Sequence, residues 1–176
     1  LFDMDGVLLD GRFVVELANR VDAASELSRF LDNRTLPDGE RAQLIASVFT
    51  GVSKEVFEET ARSMPLVTEA AETIVALRQA GYRVGIVTDS FQIAAEIVRH
   101  RVFADFSVAH LLRFRNGRAT GELTLSPAMI DPNGCGQHPC CKSNVLRYLS
   151  ATVGLMPDRT LAVGDGENDV CMLEEA

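Results

Sequence analysis

Asp3 and Asp5 stand two residues apart inside the apolar run Leu1-Phe2-Asp3-Met4-Asp5-Gly6-Val7-Leu8-Leu9. Side chains at that spacing on an extended segment share a face, so two carboxylates converge where charge is poorly solvated. They would repel one another unless a cation neutralised them. An acidic turn behind an edge strand is the plain alternative. A second cluster, Gly164-Asp165-Gly166-Glu167-Asn168-Asp169, weighs against it. It follows another apolar run, its glycines let the backbone approach a ligand closely, and Asp165 and Asp169 supply hard oxygen ligands. Neither cluster puts a glycine and a closing glutamate where an EF-hand calcium loop needs them. Between the clusters lie two groups suited to phosphate. Thr88 offers a hydroxyl with the Asp89 and Ser90 N–H groups behind it, and Lys142 offers a compact positive charge. Taken singly, these read as an N-cap and a solvated lysine.

The groups need elements to place them. Residues 1–9 read as a central strand ending in a loop at Gly6. From Phe13 to Leu31 the residues Val14, Leu17, Val21, Ala24 and Leu31 line one helical face; Leu44, Ile45, Val48 and Phe49, then Val56, Phe57, Ala61 and Met64, repeat the pattern. The stretch 12–66 is therefore expected to be all-helical, with a Pro37-Asp38-Gly39 turn inside it. A helix capped by Thr68-Glu69 and closed by Gly81 leads into a buried strand at 84–88, then a helix from Phe91 to His100 and a hairpin at Asn116-Gly117. The helix Ser143–Val153 precedes a second buried strand at 160–164. Helices alternating with short apolar strands imply an α/β fold with a parallel sheet and active groups at the strands' carboxyl ends.

A chain of 176 residues, 47% of them apolar, suffices for one well-buried domain with a small accessory lobe. Its net charge of −8 and lack of a Lys/Arg cluster argue against a nucleic-acid or anionic-membrane surface. With no signal-like or membrane-spanning run, the expected location is the cytoplasm. The absence of an initiator Met, and an end at Glu174-Glu175-Ala176 where a helix begins, read as a trimmed chain.

The order Asp3-x-Asp5-Gly6-Val7, Thr88, Lys142, Gly164-Asp165-Gly166-x-Asn168-Asp169 resembles the four motifs of the haloacid-dehalogenase superfamily, and within it most closely the phosphoserine phosphatases. The resemblance extends to the helical insert, Val87-Thr88-Asp89-Ser90-Phe91, and the hairpin with Thr120-Gly121. It implies a three-layer Rossmann-like core over 1–11 and 67–176, lacking C-terminal strands, with a helical cap at 12–66 and a small β-hairpin. It implies Asp3 as nucleophile, forming an aspartyl-phosphate, and Asp5 as general acid and base. Mg²⁺ would be held by Asp3, the Asp5 carbonyl and Asp165, with Asp169 as ligand or support. Thr88, the strand-tip amides around Asp89, Lys142 and Asn168 would cradle the phosphoryl oxygens of a small phosphorylated metabolite. Asp5 speaks against a true dehalogenase, which has no leaving oxygen to protonate.

The likeness departs at the substrate. Phosphoserine phosphatases carry, nine residues beyond the nucleophile, a glutamate for the substrate ammonium; Arg12 stands here. Ile45 occupies the place of the arginine that reads the serine carboxylate, with Arg41 nearby as a substitute, and Asp89 replaces a glycine of the strand tip. Arg12 and Arg41 suit a more anionic substrate, or are solvated cap arginines. Val7, where many phosphatases have Thr, leaves a phosphomutase or phosphotransferase open, and a silent regulatory domain is a third reading. Cys135, Cys140 and Cys141 crowd into seven residues; with His138 they could hold zinc, but the spacing matches no ordinary Cys-x₂-Cys pair, so a free-cysteine loop is expected, with a redox-sensitive loop beside Lys142 as the intermediate reading.

Overall fold

The computed structural model describes residues 1–176 apart from Asp32, Arg34 and Pro132. Four helices follow the first loop: α1 (Phe13–Arg20), α2 (Ala24–Leu31), α3 (Asp38–Val48) and α4 (Lys54–Ser63). The apolar spacing over 13–31 thus yields two helices instead of one. Asp22 sits at φ 55°, a left-handed conformation that no right-handed helix propagates, and the Ala23 N–H closes back on the Ala18 carbonyl at 2.8 Å. Pro37-Asp38-Gly39 opens α3 rather than forming a turn. A proline loses nothing at a helix start, and the Pro37 carbonyl accepts the Arg41 N–H at 2.9 Å.

The remaining elements are α5 (Ala70–Gln79), β1 (Gly85–Phe91), α6 (Gln92–Val102), β2 (Phe106–Arg115), β3 (Arg118–Thr124), α7 (Ser143–Val153) and α8 (Val170–Glu175). Glu69, not Thr68, precedes α5, in a left-handed conformation and without a side-chain cap. β1 and β2 pair in parallel through the crossover helix α6. On the other side of β1, Phe2 bridges both Ile86 and Val163 in parallel, and the Asp3 N–H bonds the Val163 carbonyl at 2.9 Å. The order is therefore β3, β2, β1, residues 1–3, then the segment at Val163. β3 joins β2 antiparallel through Asn116 and Gly117, whose φ values of 51° and 74° fit a two-residue hairpin turn. The sheet is mixed, with the hairpin appended to a parallel centre.

Alternation along β1 sorts the layers. Ile86 packs with Ile74 of α5 and Ala94, Ala95 and Val98 of α6; Val87 packs on the opposite face with Val145 and Leu146 of α7 and Met172 of α8. The 160–164 run was expected to be buried, yet Leu161 and Val163 are 63% and 38% exposed; among the described residues Val163 bridges Phe2.

Helices α1 to α4 are cemented to the sheet by phenylalanines. Phe57 lies 6.0 Å from Phe91 of β1 and 5.2 Å from Phe114 of β2, with Phe13 and Phe49 closing the cluster. Each such pair contributes about 0.5–1.5 kcal/mol beyond its buried area. The Arg101 guanidinium caps the end of α4 through the Ala61 and Met64 carbonyls at 2.7 and 2.8 Å. Among the described residues no helix is long and apolar enough to cross a membrane.

Candidate active site

The carboxyl ends of residues 1–3 and of β1, the start of α7 and the turn before α8 converge on a cleft of about 890 Å³, walled on the far side by α1 and α3. Asp3, Asp5, Thr88, Lys142, Asp165 and Asn168 all line it. Lys142 lies at its floor, 1% exposed, with Nζ 2.7 Å from Asp3 Oδ1 and 2.8 Å from Asp169 Oδ1. The Met4 N–H also donates to Asp3 Oδ1, at 2.7 Å. Asp169 Oδ2 accepts the Asp165 and Gly166 N–H groups at 3.2 and 3.0 Å, so both its oxygens are engaged. A lysine that reads as solvated by itself is thus the buried counterion of two aspartates.

Burial dominates the electrostatics. It pushes the Asp3 carboxyl up to about 7, with Asp169 adding repulsion, although Lys142 and the Met4 N–H pull the other way. Desolvation opposes the Lys142 charge, but Asp89, Asp3 and Asp169 together hold its pKa above the ordinary lysine value. Carboxylate oxygens of Asp3, Asp165 and Asp169 lie within 4.8 Å of one another. Three carboxylates against one ammonium leave two negative charges, which matches a hard divalent cation with oxygen ligands. The donor set therefore fits Mg²⁺.

The Asp5 carboxylate stands apart from that cluster. Its Oδ1 accepts the Phe13 N–H at 2.8 Å, supplying at the start of α1 the cap that the Arg12 side chain does not. Burial raises the Asp5 carboxyl to about 6, against the Phe13 N–H and the charges of Lys142 and Arg12. Gly6 permits this turn. Its φ is 80°, and a Cβ there would collide with the Asp165 carboxylate. Gly6→Ala is expected to cost about 1–3 kcal/mol in chemical denaturation and to weaken Mg²⁺ binding measured by calorimetry.

The strand tip differs in detail from the sequence expectation. The Ser90 N–H, expected to face phosphate, donates to Thr88 Oγ1 at 3.2 Å, leaving the Thr88 hydroxyl hydrogen to donate elsewhere. Asn168 Nδ2 donates to Asp89 Oδ2 at 2.8 Å, tying β1 to the Asp165 turn. Arg12 and Arg41 both line the cleft, and Arg41 is paired with Asp38 at 2.6 Å. Two lining groups escaped sequence reasoning. The buried Ser90 Oγ has no hydrogen-bond partner among the described residues, and buried His110 accepts the Ser126 N–H on Nδ1 at 3.2 Å. Burial, with Lys142, keeps the His110 pKa low despite Asp89. A serine and a histidine within β runs carry no sequence signal of this kind.

The model of the haloacid dehalogenase-like hydrolase family matches residues 1–174. The chain belongs to this family. Among haloacid dehalogenase-like relatives it is 26% identical over 179 residues to the phosphoserine phosphatase of Archaeoglobus fulgidus, 28% over 179 to that of Mycobacterium tuberculosis and 26% over 175 to that of Wolinella succinogenes. These alignments take in 100%, 100% and 98% of this chain, which spans 49%, 42% and 81% of those proteins. The fold matches a phospho-aspartyl intermediate analogue of phosphoserine phosphatase at a TM-score of 0.82 and 24% identity, covering 99% of this chain and 81% of that one. It matches a HAD family hydrolase of Salmonella enterica serovar Typhi at 0.86 and 22%, covering 99% and 58%. The α/β architecture is thus that of the haloacid dehalogenase-like hydrolases.

Proposed function

We propose that this chain is a Mg²⁺-dependent phosphomonoesterase of the phosphoserine phosphatase kind, acting on a small phosphorylated metabolite of the cytoplasm through an aspartyl-phosphate on Asp3. The observation that carries this is the buried Asp3–Lys142–Asp169 array at the floor of the cleft, with Asp5 beside it. Among the described residues the contacts to the Asp3 carboxylate from the Met4 N–H and Lys142 fall on Oδ1, which leaves Oδ2 to attack phosphorus in line. As that O–P bond forms, the ester P–O bond breaks, and the leaving oxygen takes its electron pair and a proton from Asp5. Asp5 then removes a proton from water, whose oxygen attacks the same phosphorus and returns Asp3 as a carboxylate. Lys142 and the Thr88 hydroxyl stabilise the phosphoryl oxygens. Asp3, Asp165 and the Asp5 carbonyl, with Asp169 behind them, would hold Mg²⁺, which would supply the remaining positive charge. Residues 12–66 act as the cap over 1–11 and 67–176, closing the cleft from water.

A phosphate-release screen over phosphorylated metabolites, weighted to substrates bearing further anionic groups because Arg12 and Arg41 line the cleft, tests this reading. Release that requires Mg²⁺ supports it. Release undiminished by a chelator, or none from any phosphomonoester, overturns it.

The raised carboxyls make metal binding pH-dependent. Below about 7 the metal-free Asp3 holds a proton that a cation must displace. Affinity therefore falls about tenfold per pH unit for a one-proton exchange. The Mg²⁺-induced rise in thermal midpoint is expected to be small near pH 5.5 and to grow toward pH 7.5. A shift constant over that range would contradict proton competition at Asp3.

A further inference from the structure

A second group of metal-ligating side chains lies beside the acidic site. Cys135 Sγ is 3.5 Å from His138 Nδ1, and Cys171 Sγ is 3.6 Å from the same nitrogen. Cys141 completes the set, one donor atom from each of the four residues lying within 4.8 Å of the others, and all three thiols are free. We propose that Cys135, His138, Cys141 and Cys171 bind a structural zinc ion, distinct from the Mg²⁺ site.

The distances carry the argument. Tetrahedral zinc with Zn–S near 2.3 Å and Zn–N near 2.0–2.1 Å requires S···N edges of about 3.6 Å and S···S edges of about 3.8 Å. The two S···N separations, 3.5 and 3.6 Å, already have that length. The local chain is shaped for it as well. Cys135 and His138 are separated by two residues, Gly136 turns the backbone at φ 70°, and the His138 N–H points at Cys135 Sγ at 3.1 Å, a contact that favours the thiolate. Three thiols and an imidazole select zinc, whereas the neighbouring carboxylates select a hard cation.

The adjacent cysteines divide the work. Cys140 is buried in the apolar cluster with Val87, Val145 and Met172. Cys141 belongs to the ligand cluster. The four cysteines are free thiols, as expected, and the fold adds to Cys135, His138 and Cys141 a fourth donor that local spacing did not offer. His138 completes a Cys-x₂-His pair, and Cys171 comes from α8, thirty positions beyond Cys141.

The position explains what the ion does. Residues 133–141 hold little regular structure, and α8 has six residues. Cys141 immediately precedes Lys142, and Cys171 follows Asp169 by two positions. Zinc would join the two segments that present the 2.8 Å Lys142–Asp169 pair.

The purified chain, analysed by inductively coupled plasma mass spectrometry, is expected to carry one zinc ion. The zinc-free wild-type chain refilled with Co²⁺ should show thiolate-to-cobalt charge-transfer bands and the d–d absorption of a tetrahedral centre. Cys135→Ser and Cys171→Ser should lose the metal, while Cys140→Ser and Asp165→Asn keep it. Because a cysteine variant could lose zinc by failing to fold, the Co²⁺ spectrum of the wild-type chain decides by itself, with circular dichroism confirming the fold. A chain that takes up neither metal, Co²⁺ bands without thiolate character, metal lost from Cys140→Ser alone, or a disulfide among these cysteines in the unreduced protein would each overturn the proposal.

Discussion

Asp3→Asn is expected to reduce phosphate release by a factor on the order of 10⁴ or more, the scale seen when a nucleophile is removed from a site whose groups act as a unit. The amide keeps the shape of the carboxylate but cannot form the aspartyl-phosphate. Loss of chemistry should come without loss of fold. Burial has raised the Asp3 carboxyl to about 7, so in the metal-free chain the protein favours its neutral form despite Lys142. A neutral Asn therefore sits where charge was costly, and its unfolding midpoint should fall little or rise. Mg²⁺ should stabilise the variant less than the parent, because one of the three clustered carboxylates has lost its charge. Full activity in Asp3→Asn would remove the nucleophile from this account; a collapsed thermal midpoint would show that Asp3 is needed for folding instead.

Some of this was legible because it is local. The Asn116-Gly117 hairpin and the helix Ser143–Val153 lie where turn chemistry and apolar spacing put them. The acidic clusters follow extended segments at Phe2 and Val163 that pair side by side, so Asp3 meets Asp165 and Asp169 through the strand order. What was not legible depends on tertiary placement. Apolar spacing runs across Asp22 without marking the helix break there. Lys142 looks like any surface lysine until burial and two carboxylates define it. The Asn168–Asp89 bond and the approach of Cys171 to His138 join residues far apart in the chain, which no spacing rule detects.

Lys142→Met should be the most destabilising single change in the site. Methionine fills a similar volume, so the effect isolates the charge. With the ammonium gone, Asp3 and Asp169 face each other buried and without their counterion. Removing one partner of a buried ion pair costs about 3–5 kcal/mol, because the remaining charge keeps its desolvation penalty without its attraction. Denaturant unfolding in metal-free buffer above neutral pH should show that loss. It should shrink at lower pH, where Asp3 can take up a proton, and shrink with Mg²⁺, which restores positive charge. Phosphate release should fall by about 10²–10³-fold, the usual cost of one group that stabilises transition-state charge. Asp3→Asn added to Lys142→Met supplies the decisive comparison. If repulsion between unpaired carboxylates causes the instability, the double variant is more stable than Lys142→Met alone. If the two losses simply add, Lys142 does not act as the counterion of Asp3.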